Sequence, residues 1–183
     1  MKKYELTDET KVVNGVTLHR IRAVRDIPEH AIKSGDLGGW LETAKNLSHD
    51  GAAWVMDSAY VMGKARVADS ALVTDSARVM GKALVADSAC VAGEARVTGN
   101  ARVMKSSDYI TIGAIGSRDD TTTFYRGADG GIYVSCGCFS GSIDDFAAKV
   151  KEVHAGTKHE KTYLLAVELA KTQIGTTEEE DKC

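Results

Sequence analysis

A six-residue repeat running from Trp54 to Met104 constrains the fold of this chain more than any other feature. Each unit reads V-x-[D/G]-x-A-x, with Asp or Gly two residues after the Val and Ala four residues after it. The stretch VMGKARVADSALV at 61–73 returns as VMGKALVADSACV at 79–91, so a longer period spans eighteen residues. Short β-type units that repeat in this way are typical of a solenoid, in which each unit forms one side of a coil. Three units per coil predict a triangular cross-section.

The alternation within each unit predicts which side chains face the interior. The segment A-x-V is extended, so its side chains point alternately inward and outward, with Ala and Val inside. Asp and Gly fall at the corners, where they suit sharp turns. An amphipathic helix requires apolar residues at i, i+3, i+4 and i+7, which the repeat lacks. We therefore predict a parallel β-helix with an interior of Val and Ala.

The coil before the regular repeats, residues 37–54, is irregular. Leu37 lies eighteen residues before Val55, which predicts that it is the first inward position. The same register places Leu41 and Leu47 at Ala positions and His49 at a Val position, inside the coil. We interpret this coil as a cap that covers the end of the β column.

Changes in pattern divide the chain into four predicted regions. Residues 1–36 form an N-terminal cap with a β-hairpin turning at Asn14-Gly15. Residues 37–104 form the β-helix, and residues 105–175 form a small α+β domain. Residues 176–183 form an acidic tail that we predict to be disordered.

The α+β region contains three predicted strands and two predicted helices. The strands cover 109–116, 121–127 and 131–137, and Ser142 begins a capping box. The second helix runs from about Glu160 to Thr172. The first helix has one predicted apolar face, formed by Ile143, Phe146, Ala147, Val150 and Val153.

Composition excludes several classes of protein. The chain has 183 residues and a net charge of −3, which does not favour general binding to nucleic acid or to membranes. It has no apolar run of membrane-spanning length and no signal-peptide core after Met-Lys-Lys-Tyr-Glu. Its four Cys form no disulfide framework, which favours free thiols in a reducing compartment. We therefore expect a cytoplasmic protein.

Several stretches resemble a group of phage and prophage proteins in the YdcK-like branch of the trimeric LpxA-like, or hexapeptide-repeat, superfamily. These are KYELTDETKVVNGVTLHRIRAV, SGDLGGWLE followed by KNLSHDGAAWV, and the V-x-G-x-A-R-V hexads. The later IGSRDDTTTFYR and CGCFSGSIDDFAAKVKEVH resemble a small domain attached to such solenoids in phage proteins. The resemblance implies a left-handed β-helix, a homotrimer, and location in the cytoplasm of a bacterial host.

The enzymes of this superfamily are acyltransferases that use a His as general base, and they grip acyl-CoA with a loop inserted between hexads. Residues 55–104 contain no His and no such insertion. His49 is the only candidate base in the solenoid, and a buried or capping role fits it better. We predict no catalytic residue and no cofactor. A CoA-dependent acyltransferase remains the alternative function.

Two groups of residues have metal-ligand chemistry. Cys136, Cys138, His154 and His159 could hold a structural zinc ion, although C-x-C departs from the usual C-x2–4-C spacing. The corner carboxylates could bind calcium or simply be solvated turns; these are Asp57, Asp69, Asp75 and Asp87. We predict no metal site and leave the zinc question open.

The outward positions suggest binding surfaces. One side of the coil carries no charge, which on a monomer would leave an exposed apolar stripe. We predict that self-association covers it, and docking of the C-terminal domain is the alternative. Arg78 and Arg96 could face an anionic ligand in a subunit groove, and Ser117 with Arg118 could form an anion or nucleotide contact. The predicted oligomer interface comprises Trp54, Met56, Leu72, Thr74, Cys90 and Ala92.

Together these features predict a non-catalytic, oligomeric phage or prophage solenoid, with a trimer favoured. It would bind or sequester a host small molecule, such as a nucleotide-type immune signal, or dock onto a host protein. A purely structural spacer is the third hypothesis.

Overall fold

The computed structural model describes residues 2–175, which form two compact units with a boundary between Ser106 and Ser107. The strands of the first unit are β1 (Tyr4–Val13), β2 (Val16–Ala23), β3 (Leu37–Leu41), β4 (Trp54–Val55), β5 (Tyr60–Val61), β6 (Arg66–Val67), β7 (Leu72–Val73), β8 (Arg78–Val79), β9 (Leu84–Val85), β10 (Cys90–Val91), β11 (Arg96–Val97) and β12 (Arg102–Val103). The second unit contains β13 (Tyr109–Ile115), β14 (Asp120–Arg126), β15 (Ile132–Cys136), β16 (Phe139–Ser142), α1 (Ile143–His154) and α2 (Lys158–Ile174).

The first unit is a parallel β-solenoid of about four turns, as the repeat predicts. Its short strands stack into three parallel sheets, ordered β3-β5-β8-β11, β4-β7-β10 and β6-β9-β12. Across the regular coils the register is eighteen residues, so that Val55 pairs with Val73 and Val73 with Val91. Backbone bonds join successive coils at similar lengths, for example 2.9 Å from Met56 N–H to the Val73 carbonyl.

The interior of the solenoid consists of stacked small side chains. Each Val of the repeat from Val55 to Val103 is fully buried, and the Ala residues from Ala59 to Ala101 are at most 3% exposed. A narrow coil of short two-residue strands leaves room inside only for side chains of about the size of Ala and Val. The predicted inward face is therefore confirmed.

The corners require a left-handed backbone, which explains why only Asp or Gly occurs two residues after each Val. Asp57, Asp69, Asp75 and Asp87 have φ between 50° and 58°, a region that Asp and Asn tolerate better than most residues. One corner column has only Gly, and a Cβ on Gly81 would lie 2.9 Å from the Gly99 nitrogen. Close approach of successive coils therefore excludes a side chain from that column.

The first coil has twenty residues rather than eighteen. Leu41 pairs with Val61, and Leu47 bridges to Val67, so both leucines occupy Val positions instead of the predicted Ala positions. The predicted inward position of Leu37 is wrong, because Leu37 pairs with Arg22 and is 47% exposed. The two extra residues lie between Leu47 and Val55, the segment that contains His49. The eighteen-residue extrapolation therefore fails in this coil.

The N-terminal hairpin extends one sheet of the solenoid. Asn14 and Gly15, with φ of 50° and 80°, form the predicted two-residue turn between β1 and β2. Strand β2 pairs antiparallel with β3, and β3 pairs parallel with β5. The six-stranded sheet thus changes from antiparallel to parallel at β3.

The second unit packs an antiparallel sheet, ordered β13-β14-β15-β16, against two helices. The three predicted strands are present, and β16 is a fourth strand that the sequence analysis did not predict. Ser142 caps α1 as predicted, with its hydroxyl accepting from Asp145 N–H at 3.1 Å. Val153 does not share the buried face of α1, because it is 56% exposed. Helix α2 is longer at both ends than predicted.

A buried ion pair ties the sheet to the end of α2. The Arg126 guanidinium lies 3.0 Å from the Asp108 carboxylate, and both side chains are almost fully buried. The same guanidinium donates to the carbonyls of Ile174 and Gly175 at the end of α2. The predicted acidic tail, 176–183, lies outside the described residues. Neither helix in the described part of the chain is long and apolar enough to cross a bilayer.

Candidate functional site

The second unit contains a cavity of about 240 Å³. Its walls come from the link between β13 and β14, the tight turn between β15 and β16, one side of α1, and Tyr163 of α2. The cavity includes Ser117 and Arg118, two of the predicted ligand-binding residues. Both lie in a short 3-10 turn at the end of β13.

Aromatic rings form a continuous wall in this cavity. The centroid of Phe146 lies 5.2 Å from that of Phe139 and 5.4 Å from that of Tyr163. The His154 ring lies 5.7 Å from the Tyr163 ring at an interplanar angle of 36°. These four side chains come from β16, α1 and α2, so the wall forms only where the sheet edge meets both helices. Contacts at these distances between rings are favourable beyond the burial of apolar area.

The cavity also has a basic rim. Arg118, Lys149 and His154 line it, with Ser117 as a hydroxyl donor. Asp120 is the one acidic residue among the described lining residues, and its Oδ1 accepts from the Thr121 N–H at 2.7 Å. A polar rim over an apolar wall is the usual chemistry of a small-molecule site.

Gly116 allows the basic turn to approach the aromatic wall. Its φ is +78°, and a Cβ built on it would lie 1.7 Å from the Tyr163 hydroxyl oxygen. Any side chain at this position would therefore displace Tyr163 or the turn that carries Ser117 and Arg118. The glycine is required both for its backbone conformation and for the close approach.

Tyr163 belongs to a short chain of polar groups at the cavity. The Thr122 hydroxyl donates to the Cys136 sulfur at 3.2 Å, and Cys136 Sγ lies 3.8 Å from the Tyr163 hydroxyl oxygen. Burial, and then the neighbouring Cys136, raise the pKa of Tyr163 to about 12. Tyr163 therefore presents a neutral hydroxyl at physiological pH.

The two thiols of the C-x-C sequence do not lie side by side on one strand. Cys136 ends β15, whereas Cys138 lies in the turn that follows and is exposed. His154 and His159 have ring centroids 5.9 Å apart. In residues 2–175 no cluster of three or more Cys, His, Asp or Glu side chains has the geometry of a metal site.

On the solenoid, Arg78 and Arg96 are paired in register on the neighbouring strands β8 and β11, and both are half-buried. Tyr60 precedes them in the same column. The Lys11 ammonium from β1 lies 4.5 Å from the Trp40 ring centroid and 5.5 Å from that of Tyr60. This sheet face is therefore cationic, and the hairpin covers its first strands.

The uncharged side of the solenoid is smaller than the sequence predicted. Trp54 is fully buried in its own unit, with the Tyr4 ring 6.4 Å away in an edge-on arrangement. A Cβ on Gly38 would lie only 2.8 Å from the Trp54 ring. Trp54 is therefore unavailable to a second copy, and its place in the predicted interface is wrong. The remaining predicted members are half-buried: Met56, Leu72, Thr74, Cys90 and Ala92.

His49 lies in the two-residue expansion of the first coil and contacts the start of the chain. Its Nδ1 accepts from the Lys3 N–H at 3.3 Å, and its ring stacks on Tyr4 at 4.4 Å. Desolvation and then the charge of Lys3 lower its pKa. These contacts give His49 a capping role, and its predicted place at a Val position inside the coil is wrong.

The corner carboxylates of the solenoid bond to the next coil. Asp57 Oδ2 accepts from the Thr74 hydroxyl at 2.7 Å, and Asp75 Oδ2 accepts from the Gly93 N–H at 2.8 Å. Asp69 Oδ2 similarly accepts from the Asp87 N–H at 3.3 Å. The carboxylates of Asp57, Asp69 and Asp75 thus accept from hydroxyl or backbone donors of the next coil, which gives these three residues a structural role.

Sequence reasoning singled out Ser117 and Arg118 as a ligand contact and Cys136, Cys138 and His154 as candidate zinc ligands, and all five line the cavity. It did not predict that these two groups meet at one site. Phe146 was predicted only as part of the apolar face of α1, and no sequence pattern indicated that Phe139, Lys149 or Tyr163 would line a cavity. Only Gly116, directly before Ser117, was a signal of close approach. No protein-family model and no curated protein matches this chain.

Proposed function

We propose that this chain is a non-catalytic binding protein in which the solenoid is a scaffold and the cavity of the second unit holds a small anionic molecule. The observation that carries the proposal is one cavity with an aromatic wall and a rim bearing Arg118, Lys149 and His154. Aromatic walls bind the apolar part of a ligand, and an Arg fork pairs with an anionic group.

The state of Arg118 supports a ligand role. No ion pair within residues 2–175 occupies its guanidinium, and the side chain is exposed at the cavity. Arg126, in contrast, is buried against Asp108 and serves the fold. An arginine at the mouth of an apolar cavity is available to an incoming anion.

The biological role proposed for this binding follows from the resemblance to phage and prophage proteins. The protein would sequester a host small molecule, such as a nucleotide-type signal, in the cytoplasm of a bacterial host. Sequestration needs a cavity and high abundance but no reaction, which fits a site with recognition groups and no proposed nucleophile–base pair.

Calorimetric titration of the full chain with a panel of anionic metabolites, including nucleotides and acetyl-CoA, tests the proposal. We expect at least one of them to bind, and Arg118→Gln to weaken that binding at least about tenfold by removing a charged hydrogen bond. Arg66→Gln, on an exposed solenoid strand, is the matched control and should change nothing. Absence of binding across the panel, or equal loss in both variants, would contradict the proposal.

We also propose that the solenoid self-associates, with a trimer favoured, through Met56, Leu72, Thr74, Cys90 and Ala92. Leu72→Glu should convert the assembly to monomers in light scattering, because it places a charge in an apolar contact. Leu84→Glu is the matched control, since Leu84 occupies the equivalent half-buried position on another sheet. A wild-type monomer at micromolar concentration would contradict this interface.

A further inference from the structure

We infer that the ligand of the second unit's cavity is a heteroaromatic ring carrying one phosphate monoester, of mononucleotide size. This inference rests on the proposed function and specifies its ligand class. It follows from three observations: the size of the cavity, the geometry of its aromatic wall, and the kinds of charge on its rim.

The size of the cavity favours a small ligand. The cavity holds about 240 Å³, less than the roughly 300–1,000 Å³ typical of sites for drug-sized ligands. One ring system with a short polar substituent fills such a space. A dinucleotide, which has two bases and two phosphates, would extend beyond this space.

The aromatic wall favours a planar ring over an aliphatic chain. Phe139, Phe146, Tyr163 and His154 follow one another at centroid distances of 5.2–5.7 Å along the cavity. Phe139 and His154 are half-buried and leave ring surface for a ligand, whereas Phe146 and Tyr163 are buried behind them. Nucleobases stack on aromatic side chains with little dependence on which base is present. The Tyr163 hydroxyl lies at the cavity beside Cys136 Sγ, where it can donate to a ring nitrogen or carbonyl.

The rim favours a phosphate monoester. Arg118 offers a planar fork, Lys149 a mobile ammonium and Ser117 a hydroxyl, and two cations match the charge of a phosphate monoester near neutral pH. Asp120 repels an anion directly beside it, but its carboxylate can accept from a ligand hydroxyl. The anion therefore lies toward Arg118 and Lys149, and a sugar-like hydroxyl lies toward Asp120.

Lys149, which lines the cavity, also forms an ion pair with Glu152. Its ammonium lies 3.0 Å from both carboxylate oxygens of Glu152, one helical turn further along α1. Both side chains are more than half exposed, so this pair is weak and a bound phosphate would compete for the same ammonium. Removal of the Glu152 charge should therefore strengthen binding.

Titration of the full chain with adenosine monophosphate, adenosine, inorganic phosphate and a linear adenine dinucleotide tests the inference. We expect the monophosphate to bind at least about tenfold more tightly than each of the other three. Equal affinity for inorganic phosphate, or tighter binding of the dinucleotide, would overturn the ring monophosphate while leaving an anion site intact. Absence of binding by all four, together with failure of the wider anion panel, would instead remove the proposed function.

Variants on α1 test the role of the rim, and a variant of Phe139 on β16 tests the aromatic wall. Lys149→Gln should weaken monophosphate binding, whereas Lys151→Gln, exposed on the same helix and outside the cavity, should not. Glu152→Gln should strengthen binding about twofold by releasing Lys149. Phe139→Leu should weaken the monophosphate and leave inorganic phosphate unchanged. Weaker binding in Glu152→Gln, or equal losses in Lys149→Gln and Lys151→Gln, would overturn the inference.

Discussion

The solenoid and the second unit differ in how many tasks each residue type performs. In the solenoid every Val fills the interior, and every Asp or Gly at a corner permits a left-handed backbone. In the second unit Arg126 donates to a carbonyl at the end of α2, whereas Arg118 lines a cavity. The local sequence around the two arginines does not predict these different roles. The repeated coils therefore form a scaffold, and we propose that ligand specificity resides in the second unit, which has no repeat. Three changes separate the two units experimentally.

The largest expected effect is in the second unit. Arg126→Met leaves the buried Asp108 carboxylate without its partner, which costs about 3–5 kcal/mol in comparable sites. The α-helices in residues 2–175 lie in the second unit, whereas Trp40 and Trp54 lie in the first. We expect the urea transition followed by circular dichroism at the helix band to shift to lower urea, while the tryptophan fluorescence transition stays in place.

The double variant Asp108→Leu, Arg126→Met serves as its control, because it removes the unpaired charge and should recover part of the lost stability. Recovery would assign the loss to the buried carboxylate. An equal shift of both optical transitions in the single variant would instead show that the two units unfold together.

A smaller effect concerns the cap of the solenoid and depends on pH. Burial, and then Arg25, lower the pKa of Lys3 to about 8, and its ammonium lies 3.4 Å from the Gly51 carbonyl. The Lys3 ammonium of the unfolded chain binds its proton more tightly than that of the folded chain. The cost of burying the charged ammonium therefore lowers the free energy of unfolding in full below pH 8, and this cost declines as the pH rises toward 10.5. Stability of the wild type relative to Lys3→Met should therefore rise between pH 8 and 10, by at most about 3 kcal/mol.

The comparison stops at pH 10 because a second group, Tyr4, affects stability at higher pH. Burial raises the pKa of Tyr4 to about 12, so the unfolded state ionises first and stability falls above pH 10. Urea unfolding followed by tryptophan fluorescence at pH 8, 9 and 10 measures the Lys3 effect. A wild-type stability that falls relative to Lys3→Met over this interval would contradict the assigned burial.

The smallest effect is at one corner of the solenoid. Asp75→Ala loses the bond to Gly93 N–H and places Ala at a φ of 58°, which together should cost about 2 kcal/mol. Asp75→Gly loses the bond but relieves the backbone, so its cost should be about half as large. Asp75→Asn keeps an acceptor and is the control. Equal losses for Ala and Gly in urea unfolding would show that backbone conformation does not decide this position.

The solenoid could be predicted because its signal is repeated. Val55 to Val103 each report the same environment, so a period of eighteen is evident from one chain. The prediction failed where the repeat was extrapolated, since Leu37 is exposed and the first coil has two additional residues. Two additional residues in a coil that lacks the repeat cannot be detected from the periodicity of the sequence.

The cavity could be predicted only at one edge. Ser117 and Arg118 stand out as polar residues in a turn, but Phe146 and Tyr163 look like core residues because they also pack against each other. Their position at a cavity depends on Phe139, which lies on a four-residue strand whose other three residues are Ser or Gly and which has little β-strand signal. Contacts between distant segments, rather than local pattern, create this site.

Nitrogen–proton correlation spectra of the full chain, titrated with adenosine monophosphate, test most directly the claim that binding belongs to the second unit. We predict shifts at the amides of Ser117, Arg118, Gly137 and Cys138, with the solenoid amides unchanged. Shifts centred on Arg78 and Arg96 would contradict the account, because they would place the binding site on the repeat.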